Sequence, residues 1–137
     1  MLASLLLASS GLVIFLLGTV HLLYTFRGAK LAPRDPALQR AMEASSLQIT
    51  YETTMWKAWV GFNGSHSLGA MLFGLVYVYL ALAHSAFLFS SVFLLAVGFS
   101  MLCALLVLGK LYWFSIPFRG ISLALLLYVG ALIARVA

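Results

Sequence analysis

Four stretches of continuous apolar sequence, each about as long as a bilayer's hydrocarbon core is thick, leave this chain little choice of fold. Roughly 20 apolar residues in a helix cross that core, and the runs 2–26, 55–83, 86–108 and 117–135 all qualify. They are apolar throughout and do not alternate with period two, so they predict helices and not barrel strands. His84-Ser85 reads as a tight hairpin between the second and third runs. Gly109-Lys110 closes the third, and Pro117 stands at a favoured first helical position for the fourth.

Only 8% of the 137 residues are charged and 64% are apolar, against about a quarter charged in an average soluble domain. A soluble fold of this length could not bury that much hydrocarbon. The expected fold is therefore an all-α integral membrane bundle of four transmembrane helices, up-down-up-down, as one domain over 1–137. Cys103, the single cysteine, lies inside an apolar run, which excludes an internal disulfide and a cysteine-based zinc motif. The first run has no basic residues before it and exceeds a signal-peptide core, so it is expected to remain as a span.

The net charge is +5. The basic residues are dispersed around the apolar runs and form no stripe, which argues against nucleic acid as a partner. Arg27, Lys30, Arg34, Arg40 and Lys57 surround the first connection and Lys110 and Arg119 the third, while the second has neither Lys nor Arg. The positive-inside rule then places both termini outside the cytoplasm, with a bacterial inner membrane as the expected location. Trp56, Trp59, Trp113, Tyr24, Tyr112 and Phe118 fall at the same inferred cytoplasmic level, as an interfacial aromatic belt would.

Residues 27–54 form the one sizeable connection. Within it Asp35-Pro36 reads as an N-cap followed by proline at the first helical position, opening a short helix through Ala44. Leu38, Ala41, Met42 and Ser45 share one side, so the helix is expected to lie at the membrane interface.

Polar groups inside a span are costly, and most of those here gather in the second run. At 100° per residue, Trp59, Asn63, His66, Ala70, Phe73 and Tyr77 form one stripe, whereas Gly61, Ser65 and Gly69 form another. The small residues predict close helix packing, as do Gly11 and Gly18 in the first run, whose repeat also turns His21 toward a neighbouring helix. His21 and His66 lie roughly 9 and 13 Å from the cytoplasmic ends of their helices, which brings two imidazoles to similar depth. They read as histidines hydrogen-bonded to Asn63, Ser67, Thr25 or backbone groups; the alternative is a haem- or metal-binding pair in the bundle core. Glu52 is expected to enter the second helix near its N-terminus, favoured by the dipole and paired with Lys57. Arg119 is placed to reach the same cytoplasmic mouth or to anchor in phosphate headgroups.

The signature Trp56-x-x-Trp59-x-Gly61-Phe62-Asn63-x-Ser65-His66-Ser67-x-Gly69 resembles that of a group of small bacterial four-helix membrane proteins, a likeness that implies the fold and no activity. In architecture the chain is also similar to the MAPEG family of membrane glutathione and eicosanoid enzymes. That likeness implies glutathione as cofactor, although the family's Arg before and Glu after the second-helix Asn have no counterpart around Asn63.

Functionally, these features describe a small polytopic membrane protein without catalytic residues that can be singled out. It is expected to act in assembly, as a homo-oligomer or a subunit of a larger complex, or to bind a small lipophilic ligand in the cytoplasmic half of the bundle. His21, Glu52, Trp59, Asn63, His66, Ser67 and Arg119 are the candidate ligand-binding or polar-core residues, with membrane lipid as the constant partner. The alternative is a MAPEG-like enzyme in which His66 moves a proton, Asn63 orients a lipophilic substrate and Arg119 or Lys57 binds an anionic group.

Overall fold

The computed structural model describes residues 1–136. Its elements are α1 (Leu2–Phe26), α2 (Pro36–Ala44), β1 (Ser46–Leu47), β2 (Thr50–Thr54), α3 (Met55–Ala83), α4 (Ser85–Ser90), α5 (Val92–Tyr112) and α6 (Ser115–Val136). α1, α3, α5 and α6 are each long and apolar enough to cross a membrane. The protein is an all-α integral membrane bundle of four such helices, and every buried side-chain polar atom among the described residues has a partner.

The third crossing differs from the single run expected over 86–108. The helix breaks at Ser91, whose backbone is extended (φ −91°, ψ 96°) and whose hydroxyl accepts from the Leu94 N–H at 3.3 Å. A serine at this position offers the backbone a cap, and with Ser90 beside it the chain restarts as α5. α5 then runs through Gly109 and Lys110 to Tyr112. Its 21 residues measure about 31 Å, enough to cross alone. The fourth helix begins at Ser115, two residues before Pro117; proline is still within the first turn, where its missing N–H costs nothing.

The described chain falls into two compact units. The first comprises residues 1–17 and 70–136, with parts of all four crossings. Its core holds Leu7, Ile14, Leu88, Leu102, Ala124 and Tyr128, all essentially without solvent-accessible surface. α1 and α3 meet backbone to backbone: a Cβ on Gly74 would lie 2.5 Å from the Gly11 carbonyl oxygen and 2.6 Å from the Phe15 nitrogen. Beside this contact the buried Ser10 hydroxyl donates to the Ala124 carbonyl of α6 at 2.7 Å. Gly98 of α5 leaves room for two tyrosines, Tyr77 donating to the Leu94 carbonyl at 2.7 Å and Tyr128 to the Leu95 carbonyl at 3.0 Å. Hydroxyls bonded to backbone carbonyls hold helices together where lipid offers no hydrophobic drive.

The second unit, Gly18–Gly69, comprises the end of α1, the connection and the first turns of α3. Gly28, at φ +87°, turns the chain back after α1, a left-handed conformation that glycine adopts without a Cβ penalty. α2 starts and stops where the sequence places it. The Asp35 carboxylate accepts from the Ala37 N–H at 2.8 Å, and Pro36 takes the first turn. An unforeseen element follows, a small antiparallel hairpin pairing Ser46 with Thr54 and Leu47 with Thr50. Its Thr-Tyr-Glu-Thr-Thr strand is rich in residues that favour extended backbone.

Candidate functional site

Asn63 is the centre of the second unit. Only 8% of it is exposed. It sits one turn beyond Trp59 on α3, and its side-chain amide donates to the Trp59 carbonyl at 2.8 Å. Its amide oxygen lies 3.0 Å from Nε2 of His21 on α1. With that oxygen as acceptor, the proton belongs on Nε2 of His21, a tautomer fixed by the hydrogen-bond network. One turn further along α3, the fully buried Ser67 hydroxyl donates to the Asn63 carbonyl at 2.8 Å. On α1 the Thr25 hydroxyl donates to the His21 carbonyl, also at 2.8 Å.

His66 completes the cluster. Its ring meets that of His21 edge to face, with centroids 5.4 Å apart and planes at 84°. The helical step explains the grouping: Asn63, His66 and Ser67 are three and four residues apart and share the side of α3 that faces α1. Gly64 is on that side too, where an added Cβ would lie 3.2 Å from the Phe26 ring. No group of three His, Cys, Asp or Glu side chains able to hold a metal exists among the described residues. His21 spends Nε2 on Asn63, so a metal bound there would first have to break that bond.

Beside Asn63 lies a cleft of about 160 Å³. Asn63 lines it together with Tyr24 from α1, Trp56 and Trp59 from α3, and Gln39 from α2. The Trp59 indole N–H donates to the Leu31 carbonyl at 3.1 Å, which pins the connection to α3 and fixes the indole beside the cleft. Lys30 places its ammonium 4.0 Å from the centre of the Tyr24 ring.

The other residues singled out from sequence fall elsewhere. Glu52 is exposed on β2, its N–H bonded to the Thr50 hydroxyl, and is not in the first turn of α3. Thr54 caps that helix instead, its hydroxyl accepting from the Lys57 N–H at 3.3 Å. Threonine satisfies an orphan donor directly, which removes any need for a carboxylate there. Arg119 is exposed on α6, in the first unit. Among the packing residues, Gly11 and Gly18 are buried. Gly61, Ser65 and Gly69 are exposed, and a Cβ on either of those glycines would meet nothing within 4 Å. Close contact on α3 is made by Gly64 and Gly74, outside the expected stripe.

Sequence alone does not mark Tyr24, Trp56 and Gln39 as site residues. The sequence offers the first two as belt aromatics and Gln39 as the wet side of α2; the fold of the second unit brings the three to one cleft. Neither a family model, nor a curated protein, nor a solved structure matches this chain.

Proposed function

We propose that the protein is a non-catalytic membrane component that holds a small lipophilic ligand between the loop-side turns of α1 and α3. In this reading both termini lie outside the cytoplasm, the connection 27–54 faces inward, and the host is a bacterial inner membrane. One observation carries it: a cleft next to a hydrogen-bonded Asn63–His21 pair, within apolar helices where polar groups are costly unless used. Asn63 keeps an N–H and an oxygen lone pair beyond its two bonds, so it can offer a ligand both a donor and an acceptor. The surrounding rings supply apolar contact.

Purification from native membranes in mild detergent, followed by mass spectrometry of what is released, tests this directly. An amphiphile recovered with the unaltered protein and lost from Asn63→Ala at unchanged helicity is the expected result. Equal recovery from both would sink the ligand reading.

A second reading rests on the open face of α3. Gly61, Ser65 and Gly69 present a small-residue surface to the outside of this chain, a form suited to another helix of a second copy or a foreign subunit. Leucine at Gly61 and Gly69 would then dissociate a complex seen by native mass spectrometry while leaving the chain folded.

A further inference from the structure

The ligand-binding reading leaves open which head group the cleft takes, and its lining narrows that choice. Three of its side chains are aromatic, Tyr24, Trp56 and Trp59. Aromatics of an interfacial belt are spread around their helices toward lipid; these three, from two helices, converge on one space. Of the other side chains that line it, the polar ones are the neutral amides of Asn63 and Gln39 and the hydroxyl of Thr25, which donates to the His21 carbonyl, and among the described residues that line it there is no Asp or Glu.

A cavity with aromatic walls and amide oxygens but no carboxylate discriminates among cations by hydration. Small metal ions and primary ammonium groups would lose water that rings cannot replace. A trimethylammonium group is weakly hydrated, and aromatic cages bind it through the negative ring faces. Size agrees: cavities of about 150 Å³ take up a benzene-sized molecule, and this cleft measures about 160 Å³. The wall is also held in place, by the Trp59 bond to Leu31 and the Asn63 bonds to Trp59 and His21.

From this we infer that the cleft binds a quaternary ammonium group, carried by a phosphocholine-type lipid head or by a free organic cation. Arg27, Lys30, Arg34, Arg40 and Lys57 surround the connection, outnumbering Asp35, Glu43 and Glu52. That excess opposes a bare cation and suits a zwitterion whose phosphate remains outside the cage. The inference rests on the ligand-binding reading, and the experiment separates the two.

The full chain, purified in a glycoside detergent that carries no ammonium group, is titrated with dihexanoylphosphocholine below its micelle concentration. Its ethanolamine and glycerol counterparts run in parallel, as does tetramethylammonium against uncharged neopentyl alcohol. Indole fluorescence and thermal shift report binding. Phosphocholine should bind roughly tenfold more tightly than the ethanolamine lipid. Trp56→Leu and Tyr24→Leu should lose that preference, and Trp59→Phe, which keeps a ring, should retain it. Saturation by phosphocholine alone identifies a lipid head group as the source, whereas saturation by tetramethylammonium as well admits free organic cations.

Equal affinity for all three head groups, abolished by Asn63→Ala, overturns the ammonium inference and leaves the ligand reading standing. Binding that no cleft variant alters overturns both. Should a leucine variant unfold, the head-group ratio of the unaltered protein still decides.

Discussion

Replacing Gly74 by alanine should loosen the first unit more than any other single-methyl addition to α3. The new Cβ would lie 2.5 Å from the Gly11 carbonyl oxygen, 2.6 Å from the Phe15 nitrogen and 2.8 Å from the Phe15 Cβ. Two of these atoms are helix backbone and cannot rotate away. Restoring ordinary contact at about 3.4 Å requires α1 to retreat by roughly 0.8 Å, in a close-packed interior where overpacking typically costs 1–3 kcal/mol. Alanine returns up to about 1 kcal/mol of helix propensity, so with a clash at the severe end of that range the expected net loss is about 1–2 kcal/mol, or roughly 5- to 30-fold in the folding equilibrium. Gly61→Ala is the matched control, because its Cβ would meet nothing within 4 Å, and it should be neutral or slightly stabilising. Denaturation of the purified protein with sodium dodecyl sulfate in mixed micelles, followed by far-ultraviolet circular dichroism, measures both. Equal stability of the two variants would refute the reasoning. So would a Gly11→Ala, Gly74→Ala double variant that loses the full sum of the single losses, because helices already separated by one methyl should admit the second cheaply.

Gly98→Ala should cost about 1–3 kcal/mol in the same assay, since its Cβ would lie 2.6 Å from the Tyr128 hydroxyl and 2.7 Å from the Tyr77 ring. Tyr128→Phe removes the bond to the Leu95 carbonyl and should cost about 1 kcal/mol; combined with Gly98→Ala, the two should partly compensate. Asn63→Ala leaves His21 without its side-chain acceptor inside a span, a loss of about 1–3 kcal/mol, and nitrogen-15 shifts of the His21 imidazole should move with it. Ile49→Ser and Tyr51→Ser act on side chains that are about nine-tenths exposed on the hairpin and should stay within about 0.5 kcal/mol of the unaltered protein.

Hydropathy makes the four crossings legible, because a bilayer demands some 20 apolar residues and helical backbone of any segment that crosses it. The limits of α2 are legible for a different reason, a local one: Asp35 and Pro36 satisfy and remove backbone donors at a helix start, whatever surrounds them. The hairpin is not, since Gln48-Ile49 carries none of the glycine or asparagine that marks a two-residue turn, and the preference of Thr50–Thr54 for extended backbone depends on context. Nor is the break at Ser91, because a serine in an apolar run can equally bond back to its own helix. The polar cluster lies between these cases. Spacing puts Asn63, His66 and Ser67 on one side of α3, and depth puts His21 near them. The choice of Gly64 and Gly74 over the stripe of Gly61, Ser65 and Gly69 as the close-packed positions has no such local signal, since only contact with α1 separates them.

The interruption at Ser91 bears on how the protein meets membranes of unequal thickness. A helix whose apolar length misfits the bilayer must tilt, kink or deform the lipid, at fractions of a kcal/mol per Å. α5 is long enough to match an average hydrocarbon core without the six residues of α4. Propagation of helix through Ser91 would lengthen this crossing, at the loss of the serine cap on Leu94 and with re-aiming of Leu88, which is fully buried. The break at Ser91 thus lets the third crossing match the bilayer while Leu88 of α4 stays in the core.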